Sequence, residues 1–195
     1  MKNICALLAL LAISLSLYGQ PLNGKRVELS ISGAYQSSSF ESGSSRSSSS
    51  GAFYVSPRVG VFLFEGLELE PELSLVFGSG YSTYILNGNL AYNLVVYKKD
   101  YVFVLAGYGY SNALPFLNGV PIQYSISNMS FGVLNLGGGL KVFVADNVAM
   151  RVEFRHQRFS GTPESSVVGD NSPFIVHPSI VYNVNTVSFG FSIFV

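Results

Sequence analysis

From Val187 to Val195 the chain alternates. Val187, Phe189, Phe191, Ile193 and Val195 are large and apolar, Ser188, Gly190 and Ser192 are small, and only Phe194 breaks the order. A period of two marks a β-strand whose two faces meet different surroundings. The same rhythm runs through 67–77, where Leu67, Leu69, Pro71, Leu73, Leu75 and Phe77 oppose Glu68, Glu70, Glu72, Ser74 and an apolar intruder, Val76. Eight such segments can be drawn, near 25–36, 52–63, 67–77, 84–97, 101–110, 129–144, 148–159 and 180–195. Each is long enough for the roughly ten tilted residues with which a strand crosses a bilayer. In the fifth, Tyr101, Phe103 and Leu105 share a face with Gly107 and Gly109, so the pattern leaves its phase open. Pro57 and Pro71 fall inside strands, where each removes a ladder donor and predicts a bulge. A strand that ends with the chain needs neighbours on both edges, in water against aggregation and in lipid against unpaired backbone groups. The eighth segment is therefore expected to pair antiparallel with the first, near Val27 to Tyr35.

Joins alternate in length. Phe64-Glu65-Gly66, Lys98-Lys99-Asp100 and Ala145-Asp146-Asn147 are compact and turn-like. Those after the first, third, fifth and seventh segments are longer and polar, notably 37–50, 111–128 and 160–179. Outer-membrane barrels place short turns in the periplasm and long loops outside, which would leave both termini on the periplasmic side. Ten of the fourteen residues from Ser37 to Ser50 are serine, a composition that predicts a solvated, mobile loop.

Composition narrows the class. Of 195 residues, 11% are charged and 14% aromatic, against about 25% charged in a soluble domain. Residues 1–19 read as a signal peptide: Lys2 and Asn3, an apolar run from Ile4 to Leu17, then Tyr18-Gly19-Gln20 with a small residue for cleavage. Beyond it, no apolar run approaches the roughly 18 residues of a membrane helix. The formal charge is zero, which leaves no electrostatic footprint for nucleic acid. The only cysteine, Cys5, lies in the signal, so the domain at 20–195 offers no disulfide, thiolate or cysteine-bound metal. No metal site and no cofactor are expected. An exported, charge-poor, hydrophobic chain without spanning helices predicts an all-β protein, an eight-stranded antiparallel up-and-down transmembrane β-barrel.

Alternation alone does not say which face is outside, because a lipocalin-like barrel turns its apolar face inward. Charge placement decides. Arg26, Glu28, Arg58, Glu68, Glu70, Glu72, Lys141, Arg151, Glu153 and Arg155 share faces with Gly, Ser, Asn or Gln, and only Arg158 departs. The opposite faces hold rows such as Val27, Leu29 and Ile31, or Met150, Val152 and Phe154. A charge on the lipid face costs about 2–4 kcal/mol near the midplane, whereas a narrow lumen filled by side chains suits small residues among a few long charged ones. The apolar face is therefore expected to meet lipid, with Tyr35, Phe53, Phe77, Tyr84, Phe131 and Phe154 near strand ends as aromatic girdles.

Parity also predicts register. A three-residue turn with Gly66 left-handed sets Arg58 opposite Glu72 and Gly60 opposite Glu70. Around Ala145-Asp146-Asn147, Gly139 faces Glu153, Gly137 faces Arg155 and Lys141 faces Arg151. Small residues opposite long ones let charged chains fold across the lumen, so an interior ion-pair network of Arg58, Glu70, Glu72, Lys141, Arg151, Glu153 and Arg155 is expected.

At several of these stretches the chain resembles small bacterial outer-membrane β-barrel domains, the porin-family or OmpA/OmpX-like proteins. Ser56-Pro57-Arg58-Val59-Gly60-Val61-Phe62 is similar to that family's second strand and Ala106-Gly107-Tyr108-Gly109-Tyr110 to its fifth. Phe131 to Arg155 is similar to the sixth and seventh, and Asn185 to Gly190 to the last. The resemblance implies insertion by the outer-membrane assembly machinery through a C-terminal signal, which Ser188, Gly190, Ile193 and Val195 match. Val195 stands where an aromatic residue is usual.

The leading expectation is a non-enzymatic outer-membrane barrel with a structural or surface-interaction role, surrounded by outer-membrane lipid and meeting a surface ligand through its long loops. A narrow porin-like channel for ions or small solutes is the alternative, motivated by the charged lumen. A lipid-modifying hydrolase is a third. His177-Pro178-Ser179 resembles the His-x-Ser spacing of barrel lipid A deacylases, and Glu164 is the nearest acid by sequence. His156 continues the apolar parity of the seventh segment toward the outer interface, where an amphipathic ring is at home.

Overall fold

The computed structural model describes residues 26–38, 41–42, 45–46, 50–64, 66–78, 81–97, 99–113, 130–161 and 180–195. The signal segment, Glu164, His177 and Ser179 lie outside the described residues, as does most of the loops at 111–128 and 160–179. Eight long strands form: β1 (Val27–Ser38), β2 (Ser50–Phe62), β3 (Leu67–Gly78), β4 (Tyr81–Tyr97), β5 (Asp100–Ser111), β6 (Phe131–Ala145), β7 (Val148–Gly161) and β8 (Ile180–Phe194). Each pairs antiparallel with its neighbours in sequence, and β8 returns to β1 to close the barrel. The closing register sets Glu28 opposite Phe194 and Gly33 opposite Phe189. The shortest of these strands has 12 residues, enough to cross a bilayer when tilted.

The even-numbered strands are left by short connections at one end of the barrel, the turn end; the opposite rim is the loop end. At the turn end Leu63 N–H donates to the Leu67 carbonyl at 2.9 Å and Gly66 takes φ +80°, a left-handed conformation that needs no Cβ. Arg58 then lies opposite Glu72. The β6–β7 hairpin pairs Gly137 with Arg155, Gly139 with Glu153 and Lys141 with Arg151. At the loop end two expectations change. β3 and β4 are joined by 79–80 alone, with Ser82 and Thr83 opposite Phe77 and Val76; these polar residues extend the ladder past the apolar band instead of forming a longer loop. The serine-rich segment carries a small ladder of its own, Glu41–Ser42 against Ser45–Arg46.

Pro57 and Pro71 produce no bulge. The β2–β3 register stays constant from Val55 opposite Leu75, through Arg58 opposite Glu72, to Val61 opposite Leu69, with pairings missing only around the two prolines. Since Leu63 hydrogen-bonds toward β3, the odd residues of β2 face that strand, and so does the absent N–H of Pro57. Pro71 is its counterpart in β3, so the seam loses two donors and keeps its alignment. The register shifts that do occur lie at Val95/Tyr97 and Phe143/Ala145, beside turns.

The apolar rows face outward. Leu29, Ile31, Leu86, Leu90, Leu134, Leu140, Phe154, Phe189 and Phe191 are exposed, whereas Glu28, Arg58, Glu70, Lys141, Arg151 and Glu153 are buried within the barrel. Tyr35, Phe53, Phe77 and Tyr84 are exposed toward the loop end. Phe131 is not part of that girdle: it shares inward parity with Val133 and Asn135 and is buried. Phe154 faces outward from the middle of β7, opposite Val187, too far from either rim for a girdle. β5 now has a phase, with Tyr101, Phe103, Leu105 and Ser111 inside and Val104, Tyr108 and Tyr110 outside.

Candidate functional site: a charged lumen between apolar caps

Inward positions sort into layers along the barrel axis. At the turn end, four strands each supply an aromatic ring: Phe62 from β2, Tyr101 from β5, Phe143 from β6 and Phe194 from β8. Phe194 stacks 6.3 Å from Phe62 and 4.9 Å from Phe143, and Tyr101 meets Phe143 edge-on at 5.8 Å. This is why Phe194 breaks the alternation of the last strand. At the loop end Tyr54, Val76, Ile85, Phe131, Val133, Phe159 and Val184 form a second apolar cluster, and Val76 is an intruder for the same reason.

Between the caps lie the charges. The seven residues assigned to the interior by parity all belong to one array, together with Glu28 and Glu68. Arg151 grips Glu70 with two nitrogens, at 2.7 and 3.0 Å, and also reaches Glu28 at 3.2 Å and Glu153 at 2.9 Å. Arg155 holds Glu72 in the same bidentate way at 2.7 and 2.8 Å and Glu153 at 2.6 Å. Arg58 spans Glu72 at 3.0 Å and Glu153 at 2.5 Å and donates to Ser32 at 2.8 Å. Lys141 lies 2.5 Å from Glu28, 2.9 Å from Glu68 and 3.7 Å from Glu70. Those three carboxylates converge closely enough to hold a cation, and the Lys141 ammonium is the cation among them.

Neutral groups complete the layer. Ser192 donates to Glu28 at 2.6 Å, Ser74 and Asn87 donate to Glu72 at 2.7 and 3.1 Å, and Asn93 donates to Glu68 at 3.0 Å. Toward the loop end, Gln157, Asn135 and Asn87 form an amide chain at 2.8 and 2.9 Å. The Phe103 ring lies under two cations, 4.3 Å from the Arg151 guanidinium and 5.2 Å from Lys141 Nζ. A space of about 20 Å³ remains near Arg58, Ser56, Ser74, Arg155 and Gln157, room for about one water.

Glycines make room for these long chains. A Cβ on Gly60 would run into the Glu68 carboxylate, and one on Gly139 would run into the Val152 carbonyl. Glu28 and Glu68 join the array through a partner that hairpin pairing does not reveal. Hairpin register relates only neighbouring strands, and Glu28 meets Lys141 across 113 residues of chain. Parity turns both acids inward, and with them the array holds five carboxylates against four cations, where the expected network has one cation in excess. No periodicity flags Phe103 as a partner of cations.

Of the C-terminal signal positions, Ile193 and Val195 face outward and are exposed. Ser188 and Gly190 take the inward parity, and a Cβ on Gly190 would crowd the Ile31 carbonyl of β1. His156 lies on the outward face with Nδ1 2.8 Å from Asn185 Oδ1.

These features define a closed eight-stranded up-and-down barrel with a filled, ion-paired interior and an apolar exterior. No protein-family model matches the sequence, and no curated protein matches it. Among solved structures the chain is similar to the N-terminal β-barrel domain of Pseudomonas aeruginosa OprF, at 12% identity and TM-score 0.53, covering 88% of this chain and 98% of that one. It is similar also to Neisserial surface protein A (NspA), at 13% identity and TM-score 0.53, covering 86% and 95%. At such identities the likeness is one of fold.

Proposed function

We propose that the chain is an integral outer-membrane β-barrel, exported by its N-terminal signal, that acts through its loop-end surface rather than as a channel or an enzyme. The observation that carries this reading is the inversion of polarity, with aliphatic and aromatic rows exposed outside and paired charges buried inside. Water would not select such an exterior, and lipid would. The fold shared with OprF and NspA supports the location. Three closures in series, two apolar and one ionic, argue against conduction. The segments 37–50, 111–128 and 160–179 then form the contact surface for a ligand, and Ser188, Gly190, Ile193 and Val195 serve the assembly machinery during insertion.

Heat-modifiable electrophoresis of outer-membrane fractions combined with single-channel recording tests the reading. A folded, heat-shifted band without discrete conductance is expected; a soluble periplasmic protein or steady unitary currents would overturn it. Trimming the three loops should abolish binding to cells or matrix while leaving the heat shift intact.

A further inference from the structure

Loopward of the turns, Arg158 is the only charged side chain on the outward face of the barrel strands among the described residues, and it has no carboxylate partner there. Its surroundings are ordered by the β7–β8 ladder. Arg158 lies opposite Asn183 and His156 opposite Asn185; below them come Phe154 with Val187, Val152 with Phe189 and Met150 with Phe191. Two polar pairs thus cap a column of apolar pairs. Asn185 Oδ1 is an acceptor only, so at 2.8 Å the His156 Nδ1 must carry the hydrogen. With Nδ1 engaged, Nε2 is the ring atom left for another partner, and the Asn185 amide is left to donate.

Beside this column the outer surface sinks into a groove of about 340 Å³ across the closing seam, lined by Ile31, Gly33, Val55, Val152, Phe189 and Phe191. Six residues separate Arg158 from Val152, about 20 Å along a strand. With a strand tilt of about 40° that is about 15 Å along the membrane normal, the depth of one leaflet. A larger groove at Pro57, Pro71 and Leu86 has no charged residue above it among those described: the outward residues there are Val55 and Phe53 on β2, Leu75 and Phe77 on β3, and Tyr84 and Ser82 on β4.

We propose that the outward face of β7 and β8 binds a phosphorylated glycolipid of the loop-side leaflet. Arg158 and the Asn183 and Asn185 amides hold its phosphate, His156 Nε2 hydrogen-bonds a sugar hydroxyl, and one acyl chain lies in the seam groove over Gly33. Charge complementarity selects the occupant, since one unpaired guanidinium at headgroup depth calls for an anion and the imidazole and two amides beside it offer partners to hydroxyl groups. The inference rests on the membrane-barrel reading above.

The test uses the full-length protein folded in detergent micelles and offered lipid A or phosphatidylglycerol, with retained lipid counted by native mass spectrometry. Wild type should retain lipid A at least tenfold better than phosphatidylglycerol. Arg158→Gln should lose that preference while keeping the heat-modifiable shift. Gly33→Leu should lower lipid A retention similarly, because a Cβ there meets the Tyr54 carbonyl at 3.5 Å and the Phe53 ring at 3.7 Å, ordinary contacts that leave the strand in place. Equal retention by wild type and both variants would overturn the site, and equal retention of the two lipids would overturn the glycolipid. A wild-type protein with no heat shift would instead sink the barrel reading itself.

Discussion

The charged middle of the lumen and the apolar caps at its two ends fill the same ring of inward positions, yet they constrain the barrel in different ways. In the caps, Phe62, Phe143 and Phe194 meet as surfaces, and another apolar group of similar volume can fill the same space. In the middle, Arg151 and Arg155 each grip one carboxylate with two parallel hydrogen bonds, which fixes direction and register across the lumen. A slip of one residue between hairpins would turn the charges of the slipped hairpin toward the apolar exterior. The caps exclude water and the network specifies alignment.

The largest effect should come from removing one member of the network. Arg151→Met deletes one cation shared by Glu28, Glu70 and Glu153 and leaves the buried layer with five carboxylates against three cations. A loss of about 3–5 kcal/mol is expected in urea unfolding of the reconstituted protein. Arg151→Lys should recover little of it, because a point charge does not reproduce the guanidinium fork. A neutral result for Arg151→Met would erase the distinction between the two regions.

Cap truncation should cost somewhat less and be easier to repair. Phe62→Ala opens a cavity against Phe194 and should destabilise by about 3 kcal/mol, whereas Phe62→Leu should cost under about 1.5 kcal/mol. Neither change should open a conductance in planar bilayers, since the ionic layer still closes the lumen. Unitary currents from Phe62→Ala would show that the cap is the sole barrier.

Much of this architecture was readable in the chain, and the exceptions share a cause. Period-two alternation marked the eight strands, turn chemistry at Gly66 set one hairpin register, and parity turned the charges inward. What alternation cannot express is depth along the barrel. Phe194, Val76 and Tyr101 read as defects because a lumen was expected to be uniformly polar, when its two ends are apolar. Phe131 was assigned to a girdle on its nearness to a strand end, but its parity points inward. The prolines read as bulges because a lost donor was equated with a lost alignment; the pairs on either side of Pro57 and Pro71 hold the register instead. Partners such as Glu28 and Lys141 meet across the barrel, and only closure brings them together.

A subtler test separates room from charge. Gly139→Ala keeps every ion pair's chemistry but puts a methyl against the Val152 carbonyl and 3.0 Å from the Phe103 ring. A loss of about 1–3 kcal/mol is expected from this overpacking. A stability equal to wild type, measured by the temperature of the heat-modifiable transition, would mean that the network has slack to give.

The smallest effect should come from an ion pair outside the barrel wall. Lys99 and Asp146 meet at 2.8 Å between neighbouring turns, with the carboxylate almost fully exposed. The hydrogen bond from Lys99, with its charge, holds the Asp146 carboxyl below its ordinary value. A depressed carboxyl contributes stability above its unfolded value, near about 3.9, and loses it as pH falls through the folded one. Asp146→Asn should therefore converge on wild type as pH falls through the lowered folded value of Asp146 and differ only slightly at pH 7, and raising salt to about 1 M, where the screening length is about 3 Å, should remove even that. The deficit of Arg151→Met should survive the same salt, because no counterion enters a lumen filled by its own side chains. If salt erased both differences alike, the interior charges would be solvated, and the contrast between an ionic layer that specifies and caps that exclude would fail.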